Sequence, residues 1–252
     1  MTAHRNGAPV LEVKNLSIRF GGLRAVDDVS FTVERQRITT VIGPNGAGKS
    51  TLFNLVSGAL RPRDGQVLLE GVDLTGAPPH RLQRAGLARS FQITNLFPDL
   101  SVFETLRLAS QILEPPLRAW QPVRRSTIAI ARAGALLERF DLAAKAGHKV
   151  AALSHGEQRR LEIAVALAGE PKILLLDEPT QGMSHGDTEE TAALIRDLAA
   201  DVTVMLIEHD IGLVMSLSDH VVVMHQGRVL AEGPPAAVRA DPAVQTAYFG
   251  HA

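Results

Sequence analysis

Residues 43–51 read GPNGAGKST, in which three glycines accompany a lysine and two hydroxyl side chains. The spacing fits G-x-x-x-x-G-K-[ST], which binds phosphate where it joins a buried strand to the first turn of a helix. Backbone N–H groups of 46–50 would surround the phosphate, and Lys49 would reach it. The run therefore predicts a nucleotide-phosphate site made of Gly43, Pro44, Asn45, Gly46, Ala47, Gly48, Lys49, Ser50 and Thr51, with the Ser50 hydroxyl as a ligand of Mg²⁺.

Two carboxylates end a second apolar run, ILLLDEPT. Open α/β sheets bind ligands at the carboxyl ends of such buried strands. Asp177 is suited to hold Mg²⁺ through water, and Glu178 is suited to act as the general base for an attacking water. A solvated strand end is the usual explanation of such a pair, but the presence of 43–51 in the same chain favours catalysis.

His209 follows a third apolar run, VTVMLIE, and Gln92 lies in the stretch SFQITNLF. Because parallel strands end at the same edge of a sheet, we expect His209 beside Asp177 and Lys49, contacting a phosphate or orienting Glu178. Gln92 alone indicates no more than a loop glutamine. The histidines show no transition-metal spacing, and there is no G-x-S-x-G run of a serine hydrolase.

Residues 154–168, SHGEQRRLEIAVALA, predict a second anion-binding helix start. Ser154 and Glu157 have the S-x-x-E spacing of a capping box, and apolar residues then recur at helical intervals. The free N–H groups and the dipole at a helix N-terminus favour negative charge. The residues themselves do not explain why one chain needs two such helix starts.

The remaining pattern predicts an α/β chain. Short strands over 11–42 lead to a helix from Gly48 to about Ser57, followed by a hairpin whose turn is Asp64-Gly65. From about 77 to 167 the chain is rich in Leu, Ala and Arg at helical spacing. Strands and helices then alternate: strands at 172–177 and 202–208, helices at 187–200 and near 211–217, and a closing strand pair.

The composition narrows the function classes. With 26 basic and 27 acidic residues the formal net charge is −1, which argues against a dedicated nucleic-acid protein. The absence of cysteine excludes disulfides and thiol catalysis. The first residues do not resemble a signal peptide, and no apolar run approaches the roughly 20 residues of a membrane span. A membrane role would therefore require a partner.

The order GPNGAGKST, Gln92, LSHGEQ, ILLLDEP and His209 resembles the ATP-binding subunits of ATP-binding cassette (ABC) transporters, over about residues 11–250. RFGGLRAVDDVSF, GEQRRLEIA and the closing AVQTAYFG are similar to the subgroup that serves importers of branched-chain amino acids. The resemblance implies a P-loop NTPase (RecA-like) core of mainly parallel strands with an antiparallel β subdomain and an inserted helical subdomain. It implies a single domain over 8–252, with the core at about 8–92 and 168–252 and the helical part at about 93–167.

The resemblance also implies roles for individual residues. Phe20 would stack on adenine, and Gln92 would contact Mg²⁺ and link the nucleotide to the transmembrane partner. Glu178 would be the catalytic base and His209 the switch histidine. Ser154, Gly156 and Glu157 would belong to a signature loop that completes the nucleotide site of a second subunit, which would explain the second helix start. The implied cofactors are ATP and Mg²⁺.

The implied partners are transmembrane permease subunits, a second ATP-binding subunit (another copy or a similar paralogue) and a substrate-binding protein, with no nucleic acid. The implied location is cytoplasmic, peripheral on the inner face of the cell membrane. Other cargoes stay open at this point, including urea or amide uptake and lipopolysaccharide export. A soluble cassette protein outside transport is disfavoured because the chain has one cassette and no long coiled coil. Intact Lys49, Asp177, Glu178 and His209 argue against a non-hydrolysing regulator.

Three positions depart from the family pattern. His155 and Glu157 replace a glycine and a glutamine of the usual L-S-G-G-Q, and Ser184 stands where many members have an aspartate. Glu157 brings negative charge close to the expected phosphate. Either Arg159 and Arg160 offset this charge, or Glu157 points back at its own helix.

Overall fold

The computed structural model describes residues 8–90, 96–115 and 125–249. A four-stranded antiparallel sheet, in the order β2-β1-β4-β5, is built from β1 (Leu11–Phe20), β2 (Leu23–Val33), β4 (Asp64–Leu69) and β5 (Val72–Asp73). Apolar side chains on its buried face, among them Leu11, Val29 and Val67, form a core with the helix that follows β3. The sheet therefore packs against the part of the chain that carries GPNGAGKST.

A six-stranded sheet has the order β10-β9-β3-β8-β7-β6. Its parallel strands are β3 (Ile38–Ile42), β6 (Leu87–Arg89), β7 (Ile173–Asp177), β8 (Thr203–Ile207) and β9 (His220–His225), and β10 (Arg228–Gly233) pairs antiparallel with β9. Every residue of β3, β7 and β8 is buried, as expected for strands covered on both faces.

Nine α-helices lie in the described ranges. They are α1 (Lys49–Val56), α2 (Pro79–Ala85), α3 (Val102–Ser110), α4 (Thr127–Arg139), α5 (His155–Leu167), α6 (His185–Leu198), α7 (Ile211–Leu217), α8 (Pro235–Ala240) and α9 (Pro242–Phe249). Helices α3, α4 and α5 share one apolar core with a face of the six-stranded sheet. None of the helices in the described ranges has the length and apolarity that a membrane span requires.

The predicted α/β class and its layout of two sheets with a helical part are confirmed. Two local predictions are wrong. Asp64-Gly65 is not a turn: both residues lie in β4, and the turn between β4 and β5 is Glu70-Gly71, with φ of 49° and 77°. The predicted mostly helical stretch from 77 is also interrupted, because buried Leu87 and Ala88 form β6 at the edge of the main sheet.

Candidate nucleotide-binding and catalytic site

The site lies at the carboxyl ends of three neighbouring parallel strands. Strand β8 pairs with β3 on one side and with β7 on the other. The loop 43–48 follows β3, Glu178 follows β7 and His209 follows β8 by two residues. One edge of the sheet thus brings together Lys49, Asp177, Glu178 and His209, the four side chains for which the sequence predicts this juxtaposition.

The loop 43–48 is held close to two other segments by glycine. At Gly43 (φ 154°) a Cβ would lie 2.2 Å from the carbonyl oxygen of Met224, and at Gly48 (φ 100°) 2.3 Å from that of Ala25. A side chain at either position would collide with backbone, so these positions require glycine. Gly48 is also the N-cap of α1 and makes no side-chain cap, which leaves the N–H groups of the first turn of α1 available to an anion.

Lys49 is the first residue of α1 and is buried, with 6% of its surface exposed. Its Nζ donates to the carbonyl oxygens of Gly43 at 2.7 Å and of Pro44 at 3.1 Å. Burial lowers the pKa of the Lys49 ammonium, and the nearby carboxylate of Glu178 acts in the opposite direction. The lysine is thus held across its own loop and within electrostatic range of Glu178.

The other residues of the loop differ in their exposure. Asn45, Gly46 and Ser50 are exposed, and Thr51 is half-buried. The Ala47 N–H donates to the carbonyl oxygen of Pro44 at 3.1 Å, so this one N–H is engaged within the loop.

Asp177 ends β7 and is 2% exposed. Its Oδ2 accepts a 2.8 Å hydrogen bond from Nη2 of Arg89, whose Nη1 donates to Asn54 and Ser57. Its Oδ1 is buried and has no hydrogen-bond partner among the residues that the structure describes. A buried carboxylate oxygen without a donor is suited to Mg²⁺ or to a water bound to it. Asp177 thus fits the ion. No cluster of three or more His, Asp or Glu suited to a metal occurs in the described ranges.

Glu178 has a left-handed backbone, with φ of 47°. Its side chain is 9% exposed, and its Oε1 contacts the Nε2 of His209, whose side chain is 43% exposed. The Glu178 N–H donates to the carbonyl oxygen of Ile207, the last residue of β8, at 3.1 Å. Glu178 is therefore joined to the end of β8 twice, by its main-chain N–H and by the contact of its carboxylate with the His209 imidazole.

Glu208 is a residue of the site that sequence reasoning missed. It is 4% exposed, and its Oε1 accepts from the N–H of Thr180 at 3.1 Å and from the hydroxyl of Thr180 at 2.8 Å. Its Oε2 accepts from the His209 N–H at 3.2 Å. Burial raises the pKa of Glu208. A charged residue ending an apolar run beside His209 was the available signal.

The N-terminus of α5 is capped as predicted. The Ser154 hydroxyl accepts from the Glu157 N–H at 3.3 Å, and the Glu157 carboxylate accepts from the Ser154 N–H at 2.8 Å. That backbone hydrogen bond is the main reason why the pKa of Glu157 is lowered, and Lys145, 3.5 Å away, adds to it. Glu157 therefore points back at its own helix. Arg159 does not offset its charge, because that guanidinium is buried against other partners.

The other two departures from the family pattern are His155 and Ser184. His155 is exposed. The next residue, Gly156, faces α6: a Cβ added to Gly156 would lie 3.8 Å from Oδ1 of Asp187 in that helix. Ser184 caps α6 in the way that Ser154 caps α5, accepting from the Asp187 N–H at 3.3 Å.

Phe20 lies at the end of β1 and is 49% exposed. It pairs with Leu23 across the β1–β2 hairpin, two residues before the Ala25 that approaches Gly48. Phe20 therefore belongs to the β1–β2 hairpin, whose β2 strand contacts the phosphate loop at Gly48. Gln92 lies outside the described residues, so its predicted contacts stay predictions.

The C-terminal helix also reaches the phosphate loop, which the sequence did not indicate. Burial raises the pKa of the Tyr248 phenol in α9 to about 12, and a hydrogen bond with the backbone of Gly43 opposes this shift. Tyr248 packs against an apolar cluster that includes Ile42 and Val244.

Comparison with protein families finds two matches. The ABC transporter family matches residues 26–181, and a family described as branched-chain amino acid ATP-binding cassette transporter matches residues 228–252. The second match contains α8 and α9, and hence Tyr248.

Similar proteins cover nearly the whole chain. The high-affinity branched-chain amino acid transport ATP-binding protein BraF of Pseudomonas aeruginosa is 41% identical over 97% of this chain and 99% of its own length. A crystal structure of the ADP conformation of an ATP-binding cassette of an ABC transporter is 33% identical over 97% of this chain and 100% of that one, with a TM-score of 0.86. A dimeric post-hydrolysis cassette bound to ADP and Pi is 25% identical over 89% and 98%, with a TM-score of 0.73.

Proposed function

The chain belongs to the ABC transporter family, and on that premise we propose that it is the ATP-hydrolysing subunit of an importer of branched-chain or related amino acids. Near full-length similarity to BraF supports the cargo class, as does the separate match at 228–252. The observation that carries the catalytic part is the contact between Glu178 and His209 at the same sheet edge as Lys49.

The proposed reaction is attack of water on the γ-phosphorus of ATP. Glu178 accepts the proton of the attacking water, and the bond between the γ-phosphorus and the β-γ bridging oxygen breaks to release ADP and phosphate. Lys49 and the free N–H groups at the start of α1 stabilise the negative charge on the phosphates. His209 holds the Glu178 carboxylate in place and contacts the γ-phosphate, and Phe20 stacks on adenine.

Mg²⁺ would be held by Asp177, Ser50 and Gln92 together with the phosphates. When bound, it neutralises charge that develops on the phosphate oxygens. The buried Oδ1 of Asp177 supports this assignment.

A second ATP-binding subunit is proposed to complete each nucleotide site. The chain has two helix starts suited to phosphate, at α1 and at α5, and they belong to different parts of the fold. In a head-to-tail pair the α1 start of one subunit faces the Ser154 helix of the other, with ATP between them. The dimeric state of the similar cassette bound to ADP and Pi supports the pairing of two such subunits. ATP then stabilises the closed pair, and hydrolysis removes that stabilisation.

The permease is proposed to contact a groove of about 320 Å³ between the end of α1, α2, β6 and α5. Leu96 and Val165 are among its apolar residues, and Ser90 and Glu162 contribute buried oxygens that lack a hydrogen-bond partner within the described ranges. Residues 90 and 96 flank the segment with Gln92, which the resemblance links to the transmembrane partner. This contact would hold the subunit at the inner face of the membrane, below a permease that receives cargo from a substrate-binding protein.

The Glu178→Gln variant tests the catalytic and dimer proposals together. It should bind ATP with wild-type affinity, lose turnover and form an ATP-dependent dimer in size-exclusion chromatography. Lys49→Ala is the matched control, because it should lose nucleotide affinity and stay monomeric. Wild-type turnover by Glu178→Gln would refute the catalytic role. A variant that stays monomeric in saturating Mg-ATP, alone and with a paralogous subunit, would refute the dimer.

The cargo requires a separate measurement. Uptake of radiolabelled leucine by cells that carry the whole transport system should depend on this subunit and should be lost with Lys49→Ala. Uptake that is unaffected by Lys49→Ala would contradict the proposed cargo class while leaving the ATPase assignment in place.

A further inference from the structure

Arg159 joins α5 to the main chain around Glu178. It lies in the second turn of α5 and is 9% exposed. Its Nε donates to the carbonyl oxygen of Pro179 at 3.1 Å, and its Nη2 lies 3.5 Å from the carbonyl oxygen of Asp177. These two carbonyl groups belong to the residues directly before and after Glu178. One side chain thus contacts the backbone on both sides of the proposed catalytic base.

The backbone at Glu178 needs such support. A left-handed conformation is unfavourable for a non-glycine residue, and strained residues of this kind persist only where the surroundings fix them. The Glu178 N–H is held by Ile207. The Asp177 carbonyl lies in the peptide unit just before Glu178, and the Pro179 carbonyl lies in the unit that follows Pro179. Contacts with both carbonyl groups therefore hold the chain on either side of Glu178 and limit the direction of its carboxylate.

The charge of Arg159 is balanced separately. Its Nη1 donates to Oε2 of Glu162, one turn further along α5, at 2.7 Å, and both side chains are 10% exposed. Because Glu162 neutralises the guanidinium, the donors that face Asp177 and Pro179 act as oriented hydrogen-bond donors. A planar guanidinium with several fixed donors suits this task, whereas the single ammonium of lysine does not.

We propose that Arg159 is a positioning residue for the hydrolysis reaction, which fixes the direction of the Glu178 carboxylate. The inference rests on the proposed function, since it assumes that Glu178 is the base. Ser154 is the N-cap of helix α5, and the proposed function assigns it to the nucleotide of the second site. Arg159 thus also connects the helix start at one nucleotide to the catalytic residue at the other.

The test compares steady-state ATP hydrolysis by the full chain and its variants. Arg159→Met keeps the apolar stem and removes all donors, so kcat should fall by about ten- to a hundredfold, as for a small misplacement of a reacting group. KM for ATP should change by less than about threefold, because binding is not affected. Arg159→Lys should restore part of kcat.

The matched control is Arg132→Met, which removes a 2.8 Å bond from Arg132 to the Leu167 carbonyl at the far end of α5 and should leave kcat within about twofold.

Arg159→Met alone leaves the buried Glu162 unpaired, which by itself destabilises the fold. The double variant Arg159→Met/Glu162→Met removes both charges, so it should regain thermal stability while kcat stays low. Recovery of kcat in the double variant would overturn the proposal, as would wild-type kcat in Arg159→Met. If Glu178→Gln turned over ATP like wild type, the proposed function itself would fail, and this outcome is separate from those for Arg159.

Discussion

The carboxylate of Glu178 and the imidazole of His209 meet just beyond the ends of two paired parallel strands, in which Asp177 stands opposite Ile207. The contact therefore follows from the register of β7 and β8 rather than from a mobile loop. Because the Glu178 N–H also bonds to Ile207, a shift of either strand end would move both groups of the pair.

Removing this contact should lower turnover more than binding. We expect His209→Ala to reduce kcat by about a hundredfold or more, the range typical of groups that assist proton transfer. His209→Gln keeps a side-chain donor near Oε1 of Glu178 and should retain more activity than the alanine variant. Steady-state kinetics with Mg-ATP measures kcat of each variant. Equal kcat in wild type and His209→Ala would exclude a role in turnover for the contact between Glu178 and His209.

Two glycines of the phosphate loop should differ in their tolerance of alanine. Gly46 has φ of 79° but open space around its added Cβ within the described part of the chain, so Gly46→Ala should cost about 1–2 kcal/mol from backbone conformation alone. At Gly48 the Cβ would also meet the Ala25 carbonyl oxygen at 2.3 Å, and such overpacking adds about 1–3 kcal/mol. Denaturant unfolding without nucleotide measures the free energy of unfolding of both variants. Equal losses of stability in the two variants would contradict the close approach of β2 to Gly48.

Ser154 and Ser184 form a matched pair of helix caps. Each hydroxyl accepts from an N–H three residues on at 3.3 Å, so either change to alanine should cost about 1 kcal/mol of unfolding free energy. Only Ser154→Ala should also weaken the ATP-dependent dimer in the Glu178→Gln background. If both variants weakened the dimer equally, the effect would come from general loss of stability.

Glu208 should give the protein a pH-dependent stability of defined sign. Burial raises its pKa above the ordinary value of 4.5, the Glu178 charge acts in the same direction, and the donors of Thr180 and His209 oppose it. The folded state thus binds the proton more tightly than the unfolded state, so this group's contribution to stability falls as pH rises from 4.5 through the raised pKa. Urea unfolding across this range should show wild type losing stability relative to Glu208→Gln as pH increases, and a constant difference would refute the shift.

Much of the site could be predicted because its chemistry stands at the ends of buried strands. The apolar runs before Gly43, Glu178 and His209 predict parallel strands, and parallel strands bring their carboxyl ends to one edge. The capping box at Ser154 and Glu157 is local, so four residues suffice to predict it.

Long-range partners could not be predicted. Arg89 and Asp177 are 88 positions apart, and nothing in either stretch indicates that they pair. The wrong turn at Asp64-Gly65 has a similar origin. A Cβ at Gly65 would lie 2.4 Å from the backbone oxygen of Asn15, so this glycine serves the close approach of β1 to β4. The sequence does not distinguish a glycine that a turn requires from a glycine that lets two strands approach closely.

The phosphate loop is confined from several directions, by Ala25 beside Gly48, by Met224 beside Gly43, and by the phenol of Tyr248 at the backbone of Gly43. A loop ordered in this way loses its conformational entropy when the chain folds rather than when nucleotide arrives. Preorganisation of this kind leaves more of the intrinsic interaction energy for affinity. Nucleotide should therefore bind the isolated subunit with little heat-capacity change from loop ordering, and rearrangement during turnover should lie outside residues 43–48.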